Sequence, residues 1–119
     1  MVDDDPDGRE AFAEFLRLHG FTVDDFDTAE EAIDSISQDL PAIVVMDINL
    51  SAGKMTGRDA VRRIRALPAA ETLRLVAMTG HAAGSVDKEG LFDAVLTKPI
   101  DAEALVRVLK GLLAKGTRL

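Results

Sequence analysis

Cysteine, tryptophan and tyrosine are absent from this 119-residue chain, and its ring hydrophobes are five phenylalanines. Without cysteine, neither disulfides nor thiolate catalysis can operate, which is compatible with the cytosol. A basic excess is also lacking: 14 Lys and Arg stand against 21 Asp and Glu, a net charge of −7. That balance argues against nonspecific nucleic-acid binding. No apolar run approaches the ~20 residues a membrane helix needs. The start, Met1-Val2-Asp3-Asp4-Asp5, has no basic region or apolar stretch of the kind that makes a signal peptide. The expectation is a cytoplasmic protein with neither nucleic acid nor membrane as partner. Hydrophobic content of 47% with 29% charged residues fits a folded chain, and the length fits one domain over residues 1–119. Residues 115–119 form a short basic tail.

Strand-like and helix-like periods alternate along the chain, which predicts βα units and a parallel sheet. Met1-Val2 is an apolar stub. Pro6 suits the first turn of a helix in which Ala11, Phe12, Phe15, Leu16 and Leu18 recur at helical spacing, and Gly20 can end it. Phe21 to Phe26 reads as a short strand. Thr28-Ala29-Glu30-Glu31 is a capping box that opens a helix with Ala29, Ala32, Ile33 and Ile36 inward. Ala42 to Met46 is a buried strand and Ile48 to Thr56 a loop. Gly57 to Leu67 is a helix with Ala60, Val61, Ile64 and Leu67 on one face and Arg58, Arg62, Arg63 and Arg65 outside. Leu73 to Thr79 and Ala94 to Thr97 are further strands. The glycine-bearing stretch between them, Gly80 to Asp93, supports at most a short helix. Asp101 caps the last helix, with Leu105, Val108, Leu109, Leu112 and Leu113 inward.

Polar groups collect where these strands end. Asp3-Asp4-Asp5 follows the first stub, Asp47 closes the Ala42–Met46 run, Thr79 closes Leu75–Met78, and Lys98-Pro99 follows Ala94–Thr97. Strand carboxyl ends of an open α/β sheet share one edge, where such folds bind ligands. Carboxylates from two strand ends suit a hard cation such as Mg²⁺, which relieves their mutual repulsion. An ionised aspartate can attack phosphorus, with a lysine and a hydroxyl stabilising the phosphoryl oxygens. Taken singly, each feature has a plainer reading: a solvated helix start, a loop cap, a strand-end hydroxyl, a surface turn. Their joint fall at strand ends weakens those readings. His19 and His81 have no ligand spacing with other His or Cys.

The ordered set Val2-Asp3-Asp4-Asp5-Pro6, Met46-Asp47-Ile48-Asn49-Leu50, Ala77-Met78-Thr79-Gly80 and Leu96-Thr97-Lys98-Pro99 resembles the response-regulator receiver domain (CheY-like family) of two-component signalling, over almost the whole chain. The resemblance implies a flavodoxin-like (βα)5 three-layer sandwich with parallel strand order 2-1-3-4-5, an order for which general accounts of the fold already cite a receiver. It implies that Asp47 accepts a phosphoryl group from a phosphohistidine on a sensor histidine kinase or histidine phosphotransfer protein. Asp4 then looks like the direct Mg²⁺ ligand, Asp3 its partner acting through water, and Asn49 the donor of a backbone carbonyl to the same ion. Thr79 looks like the switch hydroxyl and Lys98 the phosphoryl contact, with a cis Lys98-Pro99 bond. Beyond its own phosphorylation and dephosphorylation no enzyme activity is implied. The downstream target is unknown. The alternative is a non-phosphorylated pseudo-receiver serving as a protein-interaction module.

Four departures from the family stand out. The first strand retains only Met1 and Val2 before the acids; about three missing apolar side chains at ~1.5–3 kcal/mol each would remove roughly 5–9 kcal/mol. The expectation is a truncated strand 1, or one supplied by another segment or chain, with dimerisation or strand exchange made easier. The loop after Asp47 lacks a proline after Leu50 and is about two residues longer than in common receivers. The Thr79–Lys98 interval is about three residues short, which predicts a short or irregular helix 4. Val95 stands where receivers often carry an aromatic, leaving the usual coupling of Thr79 to ring rotation without its ring.

Overall fold

The structure, a computed structural model, describes residues 1–48, 55–68, 70–80 and 90–116, with side chains to residue 113. Its regular elements are α1 (Pro6–Leu18), α2 (Ala29–Gln38), β1 (Ile43–Asp47), α3 (Gly57–Arg65), β2 (Arg74–Thr79), β3 (Ala94–Thr97) and α4 (Ala102–Gly116). The three strands pair in parallel in the order β1-β2-β3, with Asp47 opposite Met78 and Thr79 opposite Thr97.

The expected strand order survives, but two of its five strands shrink to a bridge each. Val2 bridges Phe26 on one side and Met46 on the other. The spatial order is therefore Phe26, Val2, β1, β2, β3, the 2-1-3-4-5 arrangement of a flavodoxin-like sheet. Residues 21–26, expected as a strand, make a ladder contact only at their end, because little of the neighbouring strand lies beside them. Strand 1 is short, as its sequence implies: Val2 donates to Val45 O and accepts from Asp47 N, and Asp3 N reaches Phe26 O.

Each sheet face is covered by one helical layer. Val44, Met46 and Leu75 pack with α2 and α3 through Ala32, Ile36, Val61 and Ile64. Val45, Val76 and Met78 pack with α1 and α4 through Leu16, Leu105 and Leu109. Burial on both faces explains why β1 and β2 read as unbroken apolar runs. Thr28 Oγ1 accepts from Glu31 N at the start of α2, and Asp101 Oδ1 accepts from Glu103 N at the start of α4, as the capping signals predict. Gly20 ends α1 with φ of +91°, a conformation that favours glycine.

Two details differ from the sequence reading. In α1 the buried positions are Ala13 and Leu16, whereas Leu18 is 80% exposed at the last turn. Arg65 does not belong to a solvated face; it turns back under the sheet edge to hold Leu73 O and Leu91 O. Arg58, Arg62 and Arg63 are exposed as expected. The loop residues 49–54, most of the expected fourth-helix segment (81–89) and the tail residues 117–119 lie outside the described residues.

Candidate functional site

Asp47 is the last residue of β1 and is 2% exposed. Its backbone is fixed from both sides: Asp47 N donates to Val2 O, and Ile48 N donates to Met78 O. That register brings the acids after Val2 beside it. Oxygens of Asp3, Asp4 and Asp47 all lie within 4.8 Å of one another. Asp3, 5% exposed, is further held by Asp5 N on its Oδ1 at 3.0 Å. Arg9 Nη1 donates to Asp3 O at 2.9 Å and Arg9 Nε pairs with Asp25 at 3.1 Å, so α1 clamps the acidic loop. Sequence reasoning missed Arg9; the signal available was its place one helical turn after Asp5.

Lys98 arrives from β3 and donates from Nζ to Asp47 Oδ2 at 3.0 Å, with its own side chain 37% exposed. The Lys98-Pro99 bond is cis, as the resemblance implies. Lys98 N donates to Thr79 O, which ties the two strand ends together. Thr79 itself is fully buried at the end of β2. Four of the five residues singled out with Asp47 (Asp3, Asp4, Thr79 and Lys98) thus come to the same sheet edge. The fifth, Asn49, and with it the carbonyl expected to face a cation, lies outside the described residues.

The electrostatics are those of crowded carboxylates. Burial pushes the Asp3 carboxyl above the usual carboxylate range; the Asp5 amide lowers it, the Asp47 charge raises it further, and Lys98 opposes the rise. One lysine against three acids leaves negative charge at this edge. Hard oxygen donors with a surplus of negative charge fit a divalent cation of the Mg²⁺ type.

Gly57 is a further requirement that the sequence did not announce. A Cβ there would lie 2.6 Å from Asp47 O and 2.8 Å from Ile48 Cα, so α3 can start this close to β1 only without a side chain. Gly57→Ala is expected to cost about 1–3 kcal/mol through overpacking against backbone. Gly111→Ala in α4, where a Cβ meets nothing within 4 Å, should instead stabilise by about 0.5–1 kcal/mol. Urea unfolding of both variants checks the contrast, and equal effects would remove the claim that Gly57 is forced.

The family model for the response regulator receiver domain matches residues 1–110. The chain belongs to that family. As a receiver domain it is similar to response regulator Rre1 of Synechocystis sp., 32% identical over 119 residues, which are 97% of this chain and 51% of that protein. It is also similar to an uncharacterized 14.6 kDa protein of Leptolyngbya boryana, 34% identical over 92% of this chain and 85% of the relative. Among solved structures, a CheY-like receiver domain from Methylobacillus flagellatus superimposes with a TM-score of 0.82 at 33% identity, covering 93% of each chain. The receiver therefore spans most of one curated relative and about half of the other. Its family places it in two-component signal transduction. Among the described residues, no helix is long and apolar enough to cross a membrane.

Proposed function

We propose that this receiver is a phosphoacceptor: Asp47 takes a phosphoryl group from a phosphohistidine on a sensor histidine kinase or histidine phosphotransfer protein. The observation that carries the reading is Lys98 Nζ seated on Asp47 Oδ2 at 3.0 Å, beside the carboxylates of Asp3 and Asp4. In the transfer, an oxygen of Asp47 bonds to phosphorus as the nitrogen–phosphorus bond of the donor breaks, and the departing imidazole takes up a proton from solvent. Lys98 holds the carboxylate in place and then faces the charge of the transferred group. Thr79, buried at the adjacent strand end, supplies a hydroxyl donor to a phosphoryl oxygen once that group is present. Asp3 and Asp4, with Asp47, would hold Mg²⁺, which supplies charge neutralisation for the phosphoryl oxygens when bound. The protein would work in the cytoplasm, passing its state to a downstream protein through the surface around the sheet edge.

The test is intact mass after incubation with Mg²⁺ and acetyl phosphate. The wild type is expected to gain one phosphoryl group and Asp47→Asn none. No gain by the folded wild type would instead favour the pseudo-receiver, a module that binds partners without being phosphorylated.

A further inference from the structure

The backbone rung that would follow Asp3 is filled by a side chain. In a parallel pair a residue turns its N–H and its C=O to the same neighbour, meeting residues two apart. Asp3 N donates to Phe26 O at 3.1 Å, so the pattern would bring Thr28 N to Asp3 O. The chain instead turns into α2 at Thr28, whose Oγ1 accepts from Glu31 N. Among the described residues, no backbone amide donates to Asp3 O. Arg9 takes that place from the first turn of α1, with Nη1 donating to Asp3 O at 2.9 Å.

Asp3 O belongs to the peptide that joins Asp3 to Asp4. Both acids offer an oxygen to the group they form with Asp47, so the tilt of that one peptide sets how their carboxylates converge. Arg9 is itself held in place. Its side chain is 16% exposed, and its Nε pairs with Asp25 Oδ2 at 3.1 Å. The other oxygen of Asp25 pairs with Arg17 Nη2 at 3.3 Å, and the same nitrogen donates to Val23 O. A planar guanidinium with donors on two sides suits a bridge between a carbonyl and a carboxylate.

We propose that Arg9 is a positioning residue for the candidate cation site, fixing the Asp3–Asp4 peptide through the Asp3 carbonyl while Asp25 holds its guanidinium in place. The inference rests on the reading of Asp3, Asp4 and Asp47 as the Mg²⁺ site. The sign of the effect separates positioning from charge. A guanidinium beside three acids repels a second cation, so removing Arg9 as a bare charge would tighten Mg²⁺ binding. Removing it as a positioning group loosens binding, because Mg²⁺ demands near-ideal octahedral geometry from its ligands.

Calorimetric titration of the 119-residue protein with Mg²⁺, at a temperature well below the Tm of each variant, tests this. Arg9→Gln and Arg9→Lys are each expected to weaken binding by about 10-fold, the usual cost of losing a group that orients metal ligands. Arg9→Lys keeps the charge, so its loss isolates geometry, and it decides alone if Arg9→Gln does not fold. Asp25→Asn should weaken binding less, and should add nothing to Arg9→Gln in the double variant. Arg17→Gln loses contacts to Val23 and Asp25 but none to Asp3. It should lower Tm and leave Mg²⁺ affinity within about twofold of wild type. Wild-type affinity in Arg9→Lys, tighter binding by Arg9→Gln, or an equal loss in Arg17→Gln would overturn the proposal alone. A folded wild type that binds no Mg²⁺ would overturn the reading of the site, and the proposal with it.

Discussion

Replacing Arg65 with alanine should cost about 2–4 kcal/mol of stability, the sum of two or so lost hydrogen bonds from a charged donor and the carbonyls they leave behind. The guanidinium reaches four groups at once, the longest contact being Nη1 to Ala70 O at 3.5 Å. Its Nη1 donates to Leu73 O at 2.9 Å, just before β2. Its Nε and Nη2 both reach Leu91 O, at 3.1 and 2.9 Å, ahead of β3. Nη2 also pairs with Asp93 Oδ2 at 3.0 Å. Asp93 in turn accepts from Leu75 N at 2.7 Å, and its own amide donates to Leu75 O. One side chain at the end of α3 thus sets how the chain enters β2 and β3. Lysine cannot reproduce a planar fork with donors on two sides, so Arg65→Lys should recover less than half of the loss. Urea unfolding measures the cost, and amide exchange over residues 91–97 locates it. A loss below about 1 kcal/mol would mark Arg65 as an ordinary surface pair. The consequence reaches the candidate site, because β3 carries Lys98 to Asp47. Arg65→Ala should therefore slow uptake of a phosphoryl group from acetyl phosphate without abolishing it.

Arg65 also shows where a sequence stops being readable. On a helix, an arginine beside other arginines has the pattern of a solvated face; its real partners lie 5 to 28 residues ahead and depend on how β2 and β3 enter the sheet. Gly57 was opaque for the same reason, since the atom it must avoid is a backbone oxygen of Asp47. By contrast, Asp3, Asp4, Asp47, Thr79 and Lys98 were legible. Each follows an apolar run, and the both-face burial that makes those runs apolar also brings their ends to one edge. Capping was legible because Thr28 and Asp101 bond amides two or three residues away. The reading of residues 21–26 as a strand failed in degree rather than in kind. Their alternation suits a strand, but a strand needs a neighbour, and only Met1 to Asp3 lies beside them.

In the absence of divalent cations, Asp3→Asn should melt above the wild type at pH 7, and Mg²⁺ should reverse the order. Burial, and then the charge of Asp47, raise the Asp3 carboxyl in the folded state above its unfolded value. A group shifted that way binds more protons folded than unfolded between the two values. Stability therefore falls as pH rises through that window, and the full penalty is present above the folded value. At pH 7 the wild type carries this penalty and the asparagine variant does not, while Asn can still accept from Asp5 N as Asp3 does at 3.0 Å. The difference should shrink as pH falls and Asp3 takes up its proton. Mg²⁺ acts on the same charge in the opposite sense. At a concentration about 100 times its dissociation constant, an ion that binds only the folded state adds about 2.7 kcal/mol. The wild type should gain most of that, whereas Asp3→Asn, with one charge fewer around Asp4 and Asp47, should gain much less. Thermal melts with and without Mg²⁺, at pH 5 and pH 7, give all four comparisons. Equal Mg²⁺ shifts in the two proteins would show that Asp3 does not help hold the cation.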